Sequence, residues 1–282
     1  PPQRVNEPEV QTYAVKNLKK GIEFLEQQFG VKWDWDAFWK NAEMYNDTSR
    51  CMVEKWDVNC TDHPQVCGAA LALQREYEFM AAACMDKFMH KTDLRVTKMM
   101  LKGYEQDKAA NAPQPKYRCL VWACPAHYYT NFTYWTQHCW GVTCVNDMEA
   151  MLSYQPITIG DKEQALADLV RCYEKMMMRS HTNGGYVNLL DECWKMCEKF
   201  HTNIVIMYDH VSCKNVGGLH GLFEDQARER GIHLIWIPHD VMDPRTVSRR
   251  EMREAFSQYM VTVLNEKPLD PTLLDYEDAL SW

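Results

Sequence analysis

No run in this 282-residue chain is apolar for long enough to span a membrane, which takes about 20 consecutive apolar residues. Basic residues are not in excess either. A formal net charge of -8 excludes an extended nucleic-acid footprint, which is ordinarily a basic surface. Repeats at solenoid periods and low-complexity segments are both missing, so solenoid and fibrous architectures drop out. The 12 cysteines contain no Cys-x-x-Cys pair. Cys60 and Cys67 are separated by six residues, and Cys119, Cys124, Cys139 and Cys144 fall on four different expected elements, a spacing that speaks against a local zinc module. No signal-peptide h-region precedes these cysteines, and a chain of this size can bury a core without disulfide staples. The expectation is a cytoplasmic protein in a compartment that keeps thiols reduced.

What is abundant is aromatic and sulfur-bearing: 10 Trp, 14 Tyr and 17 Met. A large aromatic core accounts for most of them, with a wide apolar interface or a pocket for a bulky ligand as the alternative.

Up to about Asn111 the chain reads as helix. Val15, Leu18, Ile22 and Leu25 recur at helical spacing, Gly30 is a stop, and Trp35, Phe38, Trp39 and Ala42 begin a second stripe. Gly68 to Met89 and Thr92 to Gln106 continue the pattern. Pro113 and Pro115 then punctuate the chain and the period changes. Short apolar runs at Tyr117 to Trp122, Val142 to Asn146, Asn203 to Tyr208 and His233 to Ile237 alternate with helical patterns at Tyr129 to Trp140, Lys162 to Met178, Tyr186 to Phe200, Val216 to Arg230 and Ser248 to Leu264. Strands separated by helices of this length imply right-handed crossovers and a parallel sheet. The predicted organisation is a helical module at 1–112, a flavodoxin-like α/β domain at 113–265 and an irregular C-terminal tail at 266–282. Ser248 with Glu251 has the form of a capping box, and Asp161 is placed to cap the helix that follows it.

In such a sheet, ligands bind in the crevice beyond the carboxyl ends of the strands. Cys213 lies there, in the turn after the third strand and ahead of a helix, an environment that favours a thiolate. The loop after the first strand carries Cys124, Pro125 and His127, the loop after the fourth carries His239 and Asp240, and a polar connection at 179–185 carries His181 and Asn183. Each has a plain structural reading, a turn or a hydrogen-bonded histidine, and convergence on one edge is what raises them to candidates. Gly217, Gly218 and Gly221 lack the Lys-Ser/Thr of a P-loop and the spacing of a dinucleotide fingerprint. They are read instead as letting the backbone approach a bulky group such as an inorganic cluster and donate N–H groups to its sulfurs. A thiol nucleophile at Cys213 with His210 as base is the minor alternative.

The stretch Ile204 to Tyr208, the Ser212-Cys213-Lys214 turn, the helix ending Arg228-Glu229-Arg230-Gly231-Ile232, the Pro238-His239-Asp240 strand end, and Asp243-Pro244-Arg245-Thr246-Val247-Ser248 with Arg253 resemble the C-terminal half of the benzoyl-CoA reductase and 2-hydroxyacyl-CoA dehydratase family. A weaker likeness extends upstream through Val15 to Phe29, Trp33 to Asn46 and Val121 to Pro125, while the specific part is Ile204 to Val263. The resemblance implies one of two homologous subunits of an oxygen-sensitive heterodimer, each carrying a 4Fe–4S cluster held by three cysteines, one of them at the position of Cys213. It also implies a separate ATP-hydrolysing iron–sulfur activator protein that injects a low-potential electron. In the dehydratases the acyl-CoA thioester is reduced to a ketyl radical anion that expels the 2-hydroxyl group, whereas in the reductases the electrons enter the aromatic ring of benzoyl-CoA.

On this resemblance the leading expectation is an (R)-2-hydroxyacyl-CoA dehydratase subunit. Benzoyl-CoA reductase is the alternative, and a catalytically silent structural subunit is a further one. Cys213 is the expected cluster and metal ligand, with Cys124 as the local second. His127, Asn183 and Arg245 are the candidate substrate contacts. Arg245 belongs to a group with Arg249, Arg250 and Arg253 that suits CoA phosphates, against the simpler reading of a solvated helix start with surface ion pairs. Tyr128, Tyr129, Phe132, Trp135 and Trp140 are read as part of a wall around the site or, more simply, as packing against the helical module. One departure stands out: the chain opens Pro1-Pro2-Gln3, and nothing in it matches the family's N-terminal α/β domain, which supplies the other cluster cysteines. The expectation is either part of a longer subunit or a subunit without that half.

Overall fold

The computed structural model describes residues 8–74, 87–150, 155–174 and 185–275. They divide between two compact units that interleave along the chain: one takes Pro1–Glu54, Ala81–Lys98 and Leu152–Leu189, the other Lys55–Met80, Met99–Met151 and Leu190–Trp282. The helical residues ahead of Pro113, α3 (Lys87–Ala110) among them, are thus shared between the units.

In the first unit, α1 (Pro8–Phe29) packs along α5 (Lys162–Glu174). Val15, Leu18 and Ile22 are half-buried as the stripe predicts, while Leu25 has rotated outward and is 49% exposed. Asp34 accepts from Ala37 N at 2.9 Å and so caps the start of α2 (Trp35–Asn59). Trp33, Trp35, Phe38 and Trp39 form a chain of ring contacts at 5.1–6.1 Å. Phe38, Trp39 and Tyr45 then close over a core of Ala42, Ile157 and Ala165. Asn46 grips both backbone groups of Ile157, donating to its carbonyl and accepting from its N–H at 2.8 Å each. Asp161 caps α5 through Gln164 N at 3.0 Å, as expected. Burial would raise the Asp168 carboxyl, but its hydrogen bonds from Thr158 and Gln164 outweigh that and hold it low.

The second unit holds a sheet of four parallel strands, β1 (Tyr117–Trp122), β2 (Val142–Asp147), β3 (Ile204–His210) and β4 (His233–His239), in the order β2-β1-β3-β4. All four predicted strands are present. Cys119 to Trp122 and Ile204 to Met207 are fully buried. A continuous apolar run, and not an alternating one, is what a parallel strand covered on both faces requires. Burying each such side chain contributes about 1.5–3 kcal/mol. Helix α4 (Phe132–Trp140) and helix α8 (Arg249–Thr262) share one face with Tyr208, through Phe132–Tyr208, Phe132–Phe256 and Trp135–Phe256 ring contacts at 6.1, 5.9 and 5.7 Å. On the other, helix α7 (His220–Arg230) meets Trp236 through Phe223 at 6.2 Å, and helix α6 (Tyr186–Lys199) meets Phe223 through Trp194 at 5.7 Å. Opposite faces follow because Tyr208 pairs with Ile237 while Trp236 pairs with Met207, and successive residues alternate across a strand. Of the aromatics expected to pack against a helical module, Tyr129, Phe132 and Trp135 make ring contacts inside this layered unit.

Several boundaries move for identifiable reasons. Strand β3 runs to His210 because Asp209 and His210 pair with Pro238 and His239. The helix expected from Tyr129 starts at Phe132, after two tight turns closed by Tyr129 N to Ala126 O and Phe132 N to Tyr129 O. The helix expected from Val216 is one turn, Lys214–Gly217, followed after Gly218 and Leu219 by α7. Adjacent glycines weaken a helix interior by about 1 kcal/mol each. The capping box of Ser248 and Glu251 is present in full. The helical segment expected at Gly68 to Met89 falls partly on 75–86, outside the described residues, and the tail after Pro268 is tied to α4 by Trp135 Nε1 donating to Leu273 O at 2.9 Å.

Two polar anchors join the helix ends to the sheet. Arg118, at the start of β1, donates to the carbonyls of Asn59, Thr61 and Phe200 at 2.6, 2.9 and 2.9 Å, satisfying orphan carbonyls just beyond the last turns of α2 and α6. Asn59 is fully buried; its amide donates to Val66 O at 2.8 Å and Val145 O at 2.7 Å and accepts from Gln65 N and Val66 N at 2.9 Å each. Replacing Asn59 by Ala strands all four partners, and urea denaturation should show a loss of about 2–4 kcal/mol.

Candidate functional site

The winding of the sheet reverses between β1 and β3, so their carboxyl ends form the switch-point crevice. The last residues of the pairing, Trp122 and Met207, stand opposite one another, and the loops carrying Cys124 and Cys213 leave from there.

The loop after β1 is held by its backbone. Ala123 adopts φ +65°, a left-handed conformation costing a residue with a Cβ about 1–2 kcal/mol, and this turns the chain away from the strand just ahead of Cys124. His127 N donates to Val241 O at 3.0 Å, Tyr128 Oη to Val247 O at 2.6 Å, and Arg249 to Tyr128 O at 3.1 and 2.6 Å. Arg253, 5% exposed, donates to Tyr129 Oη at 3.1 Å. Both guanidiniums also lie over the Tyr129 ring, at 5.6 and 6.0 Å.

Within that loop, Cys124 Sγ and His127 Nε2 are 3.8 Å apart. A third group joins them from the turn after β2 (Met148–Ala150), where Glu149 N donates to Asp147 Oδ1 at 2.9 Å. The thiol, one imidazole nitrogen and one Glu149 oxygen lie within 4.8 Å of one another, all half-buried. Glu149 escapes sequence reasoning. The available signal was its place at the end of the second strand, the one strand whose following loop drew no attention.

Cys213 is not part of this trio; it is half-buried at the extended position before the Lys214–Gly217 turn. Its N–H donates to His210 O at 2.8 Å. His210 turns Nδ1 to Ser212, accepting from Ser212 N at 3.1 Å and meeting Ser212 Oγ at 2.9 Å, so that nitrogen does not serve as a base for Cys213. The N–H groups of Gly217 and Gly218, expected to face cluster sulfurs, instead close the helical turn on Cys213 O and Lys214 O at 3.1 and 3.0 Å. The arginine group is dispersed. Arg249 and Arg253 anchor the β1 loop as above, Arg250 pairs with Glu254 at 2.8 Å, and the exposed Arg245 forms a forked pair with Asp243 whose shortest contact is 2.7 Å. Asn183 lies outside the described residues.

A family model described as 2-hydroxyglutaryl-CoA dehydratase, D-component, matches residues 1–260. The chain belongs to that family. No individual curated protein matches the chain. The D-component is one component of a dehydratase complex acting on a 2-hydroxyacyl-CoA, and among the described residues no helix is long and apolar enough to cross a membrane. For the iron–sulfur cluster that the family implies, the described residues offer two half-buried cysteines at this edge, Cys124 and Cys213. Cys213 is on the turn after β3, whereas Cys124 Sγ lies 3.8 Å from His127 Nε2 and within 4.8 Å of a Glu149 oxygen.

At the end of β4, His239 is fully buried between the rings of Tyr208 and His210, at 5.0 and 5.5 Å. Burial, and then the neighbouring His210, push its imidazole down from 6.5 to about 4, against weaker support for the charged ring from backbone groups of Cys124 and Asp209. Neither ring nitrogen meets full hydrogen-bond geometry among the described residues. His239 is therefore neutral at pH 7. As pH falls through 6.5 the unfolded chain takes up this proton first, so the stability His239 contributes is complete above about pH 6.5 and lost toward pH 4. The loss should reach about 3 kcal/mol. Denaturant titrations at pH 7, 6, 5 and 4.5 should show a steeper decline for the native chain than for His239→Phe.

Proposed function

We propose that this chain is a component of an (R)-2-hydroxyacyl-CoA dehydratase in which Cys213 contributes one thiolate to a 4Fe–4S cluster. A homologous second subunit and an ATP-hydrolysing iron–sulfur activator are its partners. The observation that carries this reading is the position of Cys213. It is half-buried on the turn after β3, at the switch-point crevice, in a chain matched to the dehydratase D-component over residues 1–260. When bound, such a cluster would supply a low-potential electron to the thioester carbonyl and a Lewis-acidic iron for its oxygen, and the added electron is what a poor 2-hydroxyl leaving group requires.

The chain's own residues shape the surroundings. The Cys213 thiol is presented by a backbone fixed through His210 O, next to a strand end where Tyr208 and His239 are buried and His239 carries no charge at pH 7. Buried, uncharged side chains of this kind keep water from the strand end and strengthen interactions with any charge that develops beside it. Arg245, 88% exposed on its side chain, is placed to exchange Asp243 for a CoA phosphate.

The test is anaerobic co-expression with the second subunit and the activator, followed by iron and sulfide analysis and product assay. Enoyl-CoA formed from a 2-hydroxyacyl-CoA, together with iron that depends on Cys213, is the expected result. The Cys213→Ala variant should lose that iron and the activity while its circular dichroism stays native. Unchanged iron and turnover in Cys213→Ala would remove the assignment. Reduction of benzoyl-CoA in place of dehydration would move the reading to ring reduction, and a complex without iron on this chain would make it a structural subunit.

A further inference from the structure

Cys124, His127 and Glu149 are not absorbed by the cluster reading. They come from two segments, the loop after β1 and the turn after β2, and place sulfur, nitrogen and oxygen donors within 4.8 Å of one another. Zn–S of about 2.3 Å and Zn–N of about 2.0–2.1 Å in a tetrahedron put the two ligand atoms about 3.5 Å apart. The Cys124 Sγ to His127 Nε2 separation is 3.8 Å, close to that spacing before any ion draws the ligands in. The donor set also selects the ion. Calcium and magnesium take oxygen ligands almost alone, iron–sulfur clusters take thiolates, and a mixed sulfur, imidazole and carboxylate set suits a borderline cation such as Zn²⁺. Charge agrees: a thiolate and a carboxylate this close repel one another in a half-buried site, and one divalent cation balances both. The backbone contacts of His127 N with Val241 O and Glu149 N with Asp147 Oδ1 hold both ligand-bearing segments in place.

We infer that Cys124, His127 and Glu149 form a mononuclear site for a zinc-type divalent cation, with three protein donors and the fourth position left to water or a substrate oxygen. Three protein ligands with one open position is the arrangement of catalytic rather than structural zinc. Cys213 is not among its donors, and the site does not depend on the cluster proposed there.

Cobalt is the probe, because a thiolate bound to Co²⁺ produces a near-ultraviolet charge-transfer band and four-coordination intensifies the visible bands. The full chain, stripped with chelator under anaerobic conditions, should bind one Co²⁺ with both signatures, and Zn²⁺ should displace it. Cys124→Ser should lose the charge-transfer band. His127→Gln and Glu149→Gln should each weaken binding by at least about tenfold, the scale expected for disturbing a metal site. Cys213→Ser should leave spectrum and affinity unchanged. A native chain with no charge-transfer band, the same band in Cys124→Ser, or a band lost in Cys213→Ser would each overturn the site. Near-ultraviolet circular dichroism identifies any variant that has not folded, and the remaining two ligand variants then decide. Iron and sulfide in the reconstituted complex report on Cys213 independently.

Discussion

The constraint on which the rest depends is the parallel pairing of β1 with β3 at the centre of the sheet. Parallel neighbours cannot be joined by a hairpin, so each strand returns through a helix and every carboxyl end opens on the same edge. Because β1 winds outward to β2 and β3 outward to β4, the connections leave the β1/β3 edge in opposite directions. That divergence opens a crevice where Cys124 and Cys213, 89 positions apart in the chain by their numbers, begin neighbouring loops. The apolar burial of both central strands keeps this geometry in register, since a slip by one residue would exchange the two faces of a strand.

Three arginines in this unit fasten its loops and helix ends. Arg118 gathers carbonyls at the ends of α2 and α6, and Arg249 with Arg253 fixes Tyr128 and Tyr129. A guanidinium suits the task because its planar fork satisfies several acceptors at once and remains charged when buried. Burial is the main cause lowering the Arg118 pKa. The consequence for function is a β1 loop carrying Cys124 and His127 that is braced from α8 and from the segment after β4. Rigidity of this kind lets a loop serve as a ligand platform.

The strands were legible because parallel-sheet burial writes itself as continuous apolar runs, and the helices because their stripes recur at 3.6 residues. Capping at Ser248 and Asp161 was equally local. Cys213 could be singled out because strand, turn and helix signals surround it within a dozen residues. Glu149 was not legible: its significance comes from β2 lying beside β1, and no spacing between 124 and 149 announces that. How the arginine group divides was not legible for the same reason. Adjacent in sequence, Arg245, Arg249, Arg250 and Arg253 point to different partners once the helix start and the β1 loop are packed.

The sequence by itself determined the element types, the sheet class and the family likeness carried by the Cys213 turn, because each depends on periodicity or on contiguous residues. Only the tertiary structure decided strand order, the extension of β3 and β4 to His210 and His239, the buried neutral state of that histidine, and the convergence of Cys124, His127 and Glu149. Each of these is set by which segments pack side by side, and burial, pairing and electrostatic environment belong to the packed neighbourhood rather than to any stretch of chain.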